Sequence, residues 1–214
     1  SAYVDVIGRI GEDPGSAWGT DPVTTANDTI TRKESVCYGD INAFDLFDPA
    51  LEWDGSPQDT FTNLGSHTTT CGSFTDLIIS EYIEGSSNNK AIEIFNGTGA
   101  AVDLRGYKVV LYTNGSEAGQ NILEWDTETL IADGDVYVIA NPSAGTAIKD
   151  VADIESNVTF FNGDDVVALQ KAGAGNMECR GADTELELER QRAKILAAMS
   201  EIDADIFGLM EIEN

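Results

Sequence analysis

The 214-residue sequence is 42% hydrophobic, with 21 glycines and only 5 prolines, which is an ordinary globular composition and excludes disorder as the default. Its 12 basic and 38 acidic residues give a net charge of −26, so its surface would repel a nucleic-acid backbone unless divalent cations or a local basic patch intervened. No apolar run is long enough to span a bilayer, and one histidine with three cysteines makes a Cys/His metal site hard to assemble.

The first third of the sequence contains two predicted β-strands, over residues 3–10 (YVDVIGRI) and 28–36 (DTITRKESV). Arg32 and Lys33 are isolated basic residues in the second of these, and we expect them on a solvated face. A long segment rich in Asp, Gly, Phe and Trp follows over residues 38–69. Its aromatic residues are expected to hold it in place by packing: Phe44, Phe47, Trp53 and Phe61.

The cysteine positions indicate a disulfide rather than a metal site. Cys37 and Cys71 flank the Gly-, Asp- and Pro-containing loop region, and their spacing fits no zinc pattern. A Cys37–Cys71 disulfide closing this region is therefore predicted, and it would imply an oxidising compartment. Cys179 is then left as a free thiol or as a residue whose partner lies outside this chain.

The middle of the sequence has the pattern of short apolar runs separated by turn residues that is typical of an all-β domain. Five more strands are predicted at residues 77–83, 91–95, 107–113, 136–140 and 165–170. Turn signals separate them at Asn96-Gly97, Asn114-Gly115, Asp133-Gly134 and Asn162-Gly163. Short strands at this spacing predict a β-sandwich.

The character of the sequence changes after Gly173. Residues 173–178 are predicted to be a flexible joint, and a helix is predicted next because Thr184 and Glu187 make a capping box ahead of an apolar stripe. A strand, ADIFGLMEI, is predicted to follow this helix, as in one α-to-β step of an α/β domain. So few residues cannot cover both faces of a parallel strand, and we expect this region to be a piece of a domain.

Glu211 lies at the carboxyl end of that last predicted strand. It shares a face with Phe207 and Leu209, so a sheet would aim it at the crevice beyond the strand end, where open α/β sheets place their ligands. Carboxylate oxygen is the kind of ligand that Mg²⁺ prefers. Glu211 is thus the candidate metal ligand. Two alternatives remain: Glu213 has the same facing, and either residue could be a solvent-facing acid at a frayed strand end.

Several motifs together resemble a known family. The stretch DLIISEYIEGSSNNKAIEIFNGTGAAVDLRGYKVVLYTNG, followed by DVYVIANPSA and FNGDDVVALQK, looks like the start of a lamin tail domain of secreted bacterial nucleases. VDVIGRIGEDPGSAWGT resembles the second half of such a domain. Residues 179–214 are similar to the early part of the endonuclease/exonuclease/phosphatase domain that follows it. The resemblance implies a mainly β protein, an immunoglobulin-like lamin-tail sandwich, with a short α/β fragment at its C-terminus.

The order of these parts differs from the family. Residues 1–72 resemble the second half of the sandwich and residues 73–172 the first half, with the joint at 173–178 and the incomplete nuclease part at 179–214. Two interpretations remain open, namely tandem lamin-tail domains with missing halves, or one sandwich in circularly permuted order. A half sandwich would leave unpaired strand edges, so we predict that the first two segments pack together as one body.

The resemblance also implies an activity. The family's nucleases hydrolyse DNA phosphodiester bonds with Mg²⁺, or Mn²⁺ or Ca²⁺, held by an Asn and a Glu, with an Asp/Asn pair and two catalytic histidines. Of these residues only the Glu is matched, at Glu211, and His67 lies in the sandwich segment. No catalytic residue is assigned, and this chain alone is predicted to bind no cofactor and to be inactive. DNA would be the substrate of the parent enzyme.

Two non-catalytic hypotheses compete with the enzyme. The sandwich is either a binding module that tethers a nuclease to DNA, to the cell surface or to another protein, or an acidic spacer. The resemblance implies a secreted, extracellular protein in each case, and no transmembrane segment is predicted.

Overall fold

Strands rich in Ile, Val and Tyr build two large β-sheets in the computed structural model, which describes residues 2–171. The strands are β1 Ala2–Ile7, β2 Gly19–Thr20, β3 Val23–Thr24, β4 Asp28–Arg32, β5 Trp53–Pro57, β6 Ile78–Glu84, β7 Lys90–Phe95, β8 Val102–Asp103, β9 Tyr107–Tyr112, β10 Asn121–Glu124, β11 Leu130–Ile131, β12 Val136–Ala140, β13 Ile154–Glu155 and β14 Val166–Lys171. The helices are short: α1 Pro49–Glu52, α2 Thr146–Lys149, and 3-10 turns at Leu104–Gly106 and Asn157–Thr159. No described helix is long and apolar enough to cross a membrane.

The larger sheet has six strands in the order β13-β12-β7-β6-β4-β5, and the second has four in the order β1-β14-β9-β10. Neighbours run antiparallel, except for the parallel β12–β13 pair. Each sheet contains strands from residues 1–72 and from residues 73–172, since β1 pairs with β14 and β4 pairs with β6. The fold is the mainly β sandwich that the strand pattern predicts.

The main core fills the space between the two large sheets. Ile92 and Ile94 of the six-stranded sheet and Val109 and Leu111 of the four-stranded sheet contribute to it, and each is fully buried. Tyr82 stacks on Phe161 with 4.4 Å between ring centroids. Side chains that point into this core alternate along β6, β7 and β9 with side chains that point to the outer face of the same sheet. Other parts of the chain are therefore needed to bury the outer faces.

The outer face of the six-stranded sheet is covered by residues 58–74, which we call the cover segment. Leu64 packs there against Ile83 and Ala91 together with α2. Phe74 packs against Ile78 and Phe95 nearer the other end of the strands. These two apolar clusters leave a polar region between them, on the middle of the sheet.

The predicted Cys37–Cys71 disulfide is present, with 5.7 Å between the Cα atoms. It ties the end of the cover segment back to the loop that follows β4, and both cysteines pack against the Phe74 cluster. Cys179 lies outside the described residues.

Several of the strand and loop predictions are corrected by the structure. The predicted strands 3–10 and 28–36 end at Ile7 and Arg32, and β5, β10 and the five two-residue strands were not anticipated. Phe44 does not hold its loop down from a buried position, because it is 53% exposed and touches Tyr3 only edge-on.

The prediction for Arg32 is also wrong, because Arg32 is not on a solvated face. Its guanidinium is buried between the sheets, where it donates to the carboxylates of Asp5 and Glu52. It also lies 4.0 Å from the ring centroid of Trp53. The positive charge of Arg32 is thus balanced by two carboxylates from distant parts of the chain. The sequence around Arg32 gives no sign of either partner.

Candidate functional site

A row of polar side chains crosses the outer face of the six-stranded sheet beneath the cover segment. Thr31 of β4 is paired with Asp54 of β5 and with Glu81 of β6, and Glu81 is paired in turn with Glu93 of β7. A register shift between Ile79 and Glu81 determines which side chains of β6 point to this face of the sheet. The strands thus bring three carboxylates and a hydroxyl onto adjacent positions of one face.

Glu93 is fully partnered. Ser80 donates its hydroxyl to Oε1 at 2.7 Å, and the main-chain N–H of Gly65 donates to Oε2 at 2.6 Å. Burial raises the pKa of Glu93, while these hydrogen bonds oppose the rise. Because Gly65 belongs to the cover segment, Glu93 anchors that segment to the sheet.

Glu81 is buried without a partner. The residue is only 1% exposed, and neither Oε1 nor Oε2 of its carboxyl group accepts a hydrogen bond. Burial, and secondarily the neighbouring Glu93 carboxylate, raise the pKa of Glu81 to about 8. Glu81 therefore carries a proton at neutral pH, and the site holds a neutral carboxyl group beside a hydrogen-bonded one.

His67 lies in the cover segment on the same face. Its ring packs edge-on against Phe95, with 4.9 Å between centroids, and its Nε2 is buried without a hydrogen-bond partner. Burial first, and then the positive charge of Arg32, lower the pKa of His67 to about 4. The imidazole is neutral at physiological pH and presents a nitrogen to its surroundings.

A pocket of about 240 Å³ lies between the sheet and the cover segment. Its lining residues that carry side-chain oxygen or nitrogen include Thr31, Asp54 and Ser56 on the strands and Asn63, Ser66 and His67 on the cover segment. Thr31 Oγ1 is another buried atom without a partner. This arrangement can accept hydrogen bonds from a small polar molecule.

Among residues 2–171, no group of three or more His, Cys, Asp or Glu side chains is arranged to hold a metal ion. Glu211 and Glu213, the candidate ligands at the end of the sequence, lie outside the described residues, as do the predicted helix and strand around them. The structure therefore leaves the assignment of Glu211 as a prediction.

Glu81 and Glu93 were not singled out from the sequence. The available signal was a glutamate inside each of two otherwise apolar strands, IISEYIE and KAIEIF. In a sandwich with one solvated face such residues are expected to point to water. The cover segment, which precedes β6 in the chain, folds back over the sheet and buries them instead.

The family model for the lamin tail domain matches residues 72–183. Searches of curated proteins and of solved structures found no significant match. Within the described residues the matched range contains β6 to β14, and β1 to β5 precede it. Glu81 and Glu93 lie within the match, whereas Thr31, Asp54 and His67 come from the part of the chain before it.

Proposed function

This chain belongs to the lamin tail domain family, whose model covers more than half of the sequence, and we propose that its sandwich is a non-catalytic binding module of a secreted, metal-dependent DNA nuclease. The observation that carries the nuclease part is the order of the sequence, in which the lamin-tail region leads into residues 179–214. Those residues resemble the opening of an endonuclease/exonuclease/phosphatase domain.

Glu211 is the residue of this chain that we propose as a ligand of the catalytic Mg²⁺, with Mn²⁺ or Ca²⁺ as substitutes. Such an ion would stabilise negative charge on the scissile phosphate and lower the pKa of a bound water molecule. The chain's one histidine, His67, belongs to the sandwich, so it does not supply the histidines that the family uses on the phosphate. We therefore expect this chain alone to be inactive.

The charge arrangement of the sandwich supports a binding role towards partners other than DNA. Most basic side chains of the described residues already face carboxylates of the same sandwich. The ion pairs are Arg9–Glu12, Arg32–Asp5, Arg32–Glu52, Lys90–Glu84, Arg105–Asp103, Arg105–Glu128, Lys149–Glu155 and Lys171–Asp76. A phosphate backbone would have to compete with these carboxylates and with the net charge of −26.

The disulfide supports an extracellular location, since such bonds persist in oxidising compartments. We propose that the sandwich binds a protein or a cell-surface component there, while DNA is the substrate of the catalytic domain.

Two experiments test this proposal. The genomic sequence beyond the codon for Asn214 is expected to encode an Asp-x-Asn segment and a later Ser-Asp-His; a stop codon at that point would contradict the nuclease part. Incubation of this chain with supercoiled plasmid and Mg²⁺ or Mn²⁺ is expected to give neither nicking nor a gel shift. Cleavage that Glu211→Gln abolished would show that the chain is catalytic by itself.

A further inference from the structure

The connection between β4 and β5 concentrates exposed apolar side chains in a short part of the chain. Of the nine large apolar residues that are exposed among the described residues, five lie within residues 38–51. Apolar residues scattered singly over a protein surface are normal, whereas a concentration of them marks an interaction site. The five are Tyr38, Ile41, Phe44, Leu46 and Leu51, and the other four are Ile122, Leu130, Val151 and Phe160.

Three of these side chains surround one turn. The main-chain N–H of Asp45 donates to the carbonyl oxygen of Asn42, which closes the turn. Ile41 precedes the turn and is 72% exposed, Leu46 follows it and is 84% exposed, and Phe44 lies within it. The two ends of such a turn are less than about 7 Å apart. The three apolar side chains are therefore attached around one point of the surface.

The turn is held from behind by the rest of the sandwich. Ala43, inside the turn, is buried, and its carbonyl oxygen accepts a hydrogen bond from the main-chain N–H of Ile10 at 2.8 Å. Arg9 Nε donates to the carbonyl oxygen of Phe44, also at 2.8 Å. A surface whose main chain is already fixed loses little conformational entropy when a partner binds. The exposed side chains are thus presented on a pre-organised turn.

The charge around the turn is negative. Residues 34–89 contain no lysine or arginine, and Asp45 and Asp48 are exposed acids beside the apolar side chains. Two cations reach this part of the chain from outside it, and both already have partners. Arg9 pairs with Glu12 at 3.0 Å, and Lys33 Nζ donates to two main-chain carbonyls of α1. The carboxylates of Asp45 and Asp48 have no cationic partner within the described residues.

We propose that Ile41, Phe44 and Leu46, with Asp45 and Asp48, form a docking surface for a protein partner. The partner segment presents apolar side chains beside lysine or arginine side chains, because this combination complements both the apolar turn and its acidic surroundings. The inference rests on the binding-module part of the proposed function and names the surface and the partner chemistry; it does not depend on the nuclease part.

Two other occupants fit this surface less well. A second copy of the chain would bring the same acidic turn and the same net charge of −26, so repulsion opposes its approach. Membrane surfaces that carry anionic lipids are repelled in the same way. A basic, amphipathic protein segment has neither disadvantage.

Fluorescence anisotropy with a labelled helical peptide of leucine and lysine, whose leucines lie on one face, tests the proposal. The double variant Ile41→Ser with Leu46→Ser should bind this peptide at least about tenfold more weakly than the wild type does. Ile122→Ser with Leu130→Ser removes two exposed apolar side chains elsewhere and should bind as the wild type does. Both variants keep the net charge, so the general attraction between a basic peptide and this acidic protein is unchanged.

The acidic part of the surface has its own readout. Asp45→Asn should weaken peptide binding about twofold at low salt, and the difference should shrink as salt is added. Asp126→Asn, at an exposed acid in another part of the sandwich, is the matched control and should have a smaller effect. A peptide with serine in place of leucine should bind equally to the wild type and to the Ile41→Ser, Leu46→Ser variant.

Folding is checked by urea unfolding, which should be the same for the Ile41→Ser, Leu46→Ser variant and the wild type because both side chains are exposed. Absence of peptide binding to the wild type, or equal binding to this variant, would overturn the proposal. Self-association that the variant abolished would assign the surface to a second copy, and variant-sensitive binding to phosphatidylcholine vesicles would assign it to a bilayer. Each of these two results would also overturn the protein-partner assignment. Failure of the proposed function would be seen separately, in the gene sequence and the plasmid assay, which do not involve this turn.

Discussion

Glu81 and Glu93 are cross-strand neighbours on β6 and β7, yet their hydrogen bonding differs. Glu93 receives hydrogen bonds from Ser80 and from the Gly65 main chain, whereas Glu81 receives none. Donors stabilise the charged form of a carboxyl group, and burial without donors stabilises the neutral form. The pair therefore holds one carboxyl anchored by hydrogen bonds and one buried carboxyl that receives none.

This difference predicts how stability depends on pH. Burial raises the pKa of Glu81 from 4.5 to about 8, so the folded state binds a proton more tightly than the unfolded chain does. Its stabilising contribution is complete below about pH 4.5 and is lost as the pH rises to about 8, at roughly 1.4 kcal/mol per pH unit. Urea unfolding of Glu81→Gln should lack this loss, so the variant becomes more stable than the wild type above pH 8.

The control for this prediction is Glu124→Gln, which removes an exposed carboxylate. Its free energy of unfolding should differ from the wild type by a similar amount at pH 5, 7 and 9. If Glu81→Gln lost stability with rising pH as steeply as the wild type does, Glu81 would not be the titrating group.

Arg32 carries a second prediction at this scale. Arg32→Met should lower the free energy of unfolding by about 3–5 kcal/mol, because it leaves the buried carboxylate of Asp5 without its cation. Chemical denaturation at pH 7 measures the loss. The double change Arg32→Met with Asp5→Asn should recover part of it, since the uncompensated charge is then gone. Lys33→Met, at the residue that follows β4, should lower the free energy of unfolding only slightly. A large loss in this variant would mean that any substitution near the end of β4 destabilises the fold.

At the scale of elements, the cover segment is what turns an ordinary sheet face into a pocket. It begins after β5 at residue 58, passes over Glu93 and Glu81, and is tied back by the Cys37–Cys71 disulfide. The disulfide closes a loop with a sequence separation of 34 residues, which includes the cover segment up to Cys71. Cross-links of this kind restrict the unfolded chain more than the folded one.

Replacing both cysteines by serine should therefore lower the free energy of unfolding by about 2–4 kcal/mol. The measurement is urea unfolding of Cys37→Ser with Cys71→Ser beside the oxidised wild type. Reduction of the wild type with dithiothreitol should give the same loss and should change nothing in the double variant. Equal midpoints for the oxidised and reduced wild type would show that the bond does not stabilise the fold.

The strands could be predicted from the sequence, whereas the pocket could not. The run VYVIA has no competing polar signal and matches β12, and the turn signals around it bound neighbouring strands correctly. β5, with the sequence WDGSP, was missed because Gly and Pro disfavour strands, and it forms at the edge of the sheet, where such residues are tolerated. Glu81 was missed because its burial depends on residues that follow a different strand, and no local pattern records that contact.

The whole molecule combines a lamin-tail sandwich with an excess of acidic residues. The ion pairs inside the sandwich use most of its cations, and the remaining carboxylates stay uncompensated on the surface. A net charge of −26 on 214 residues opposes the compact state through self-repulsion. Partners that carry positive charge are attracted by the same field.

Self-repulsion predicts that added salt stabilises this protein. At about 0.01 M ionic strength the Debye length is about 30 Å, and at 0.15 M it is about 8 Å, so repulsion between distant surface carboxylates is then largely screened. Differential scanning fluorimetry in NaCl should show the unfolding midpoint rising over this range and levelling off above it. Choline chloride should give the same rise, because the effect depends on ionic strength and not on the cation, and sucrose in place of salt controls for solvent exclusion. A midpoint that fell with salt would mean that the surface ion pairs contribute more to stability than the excess of negative charge removes.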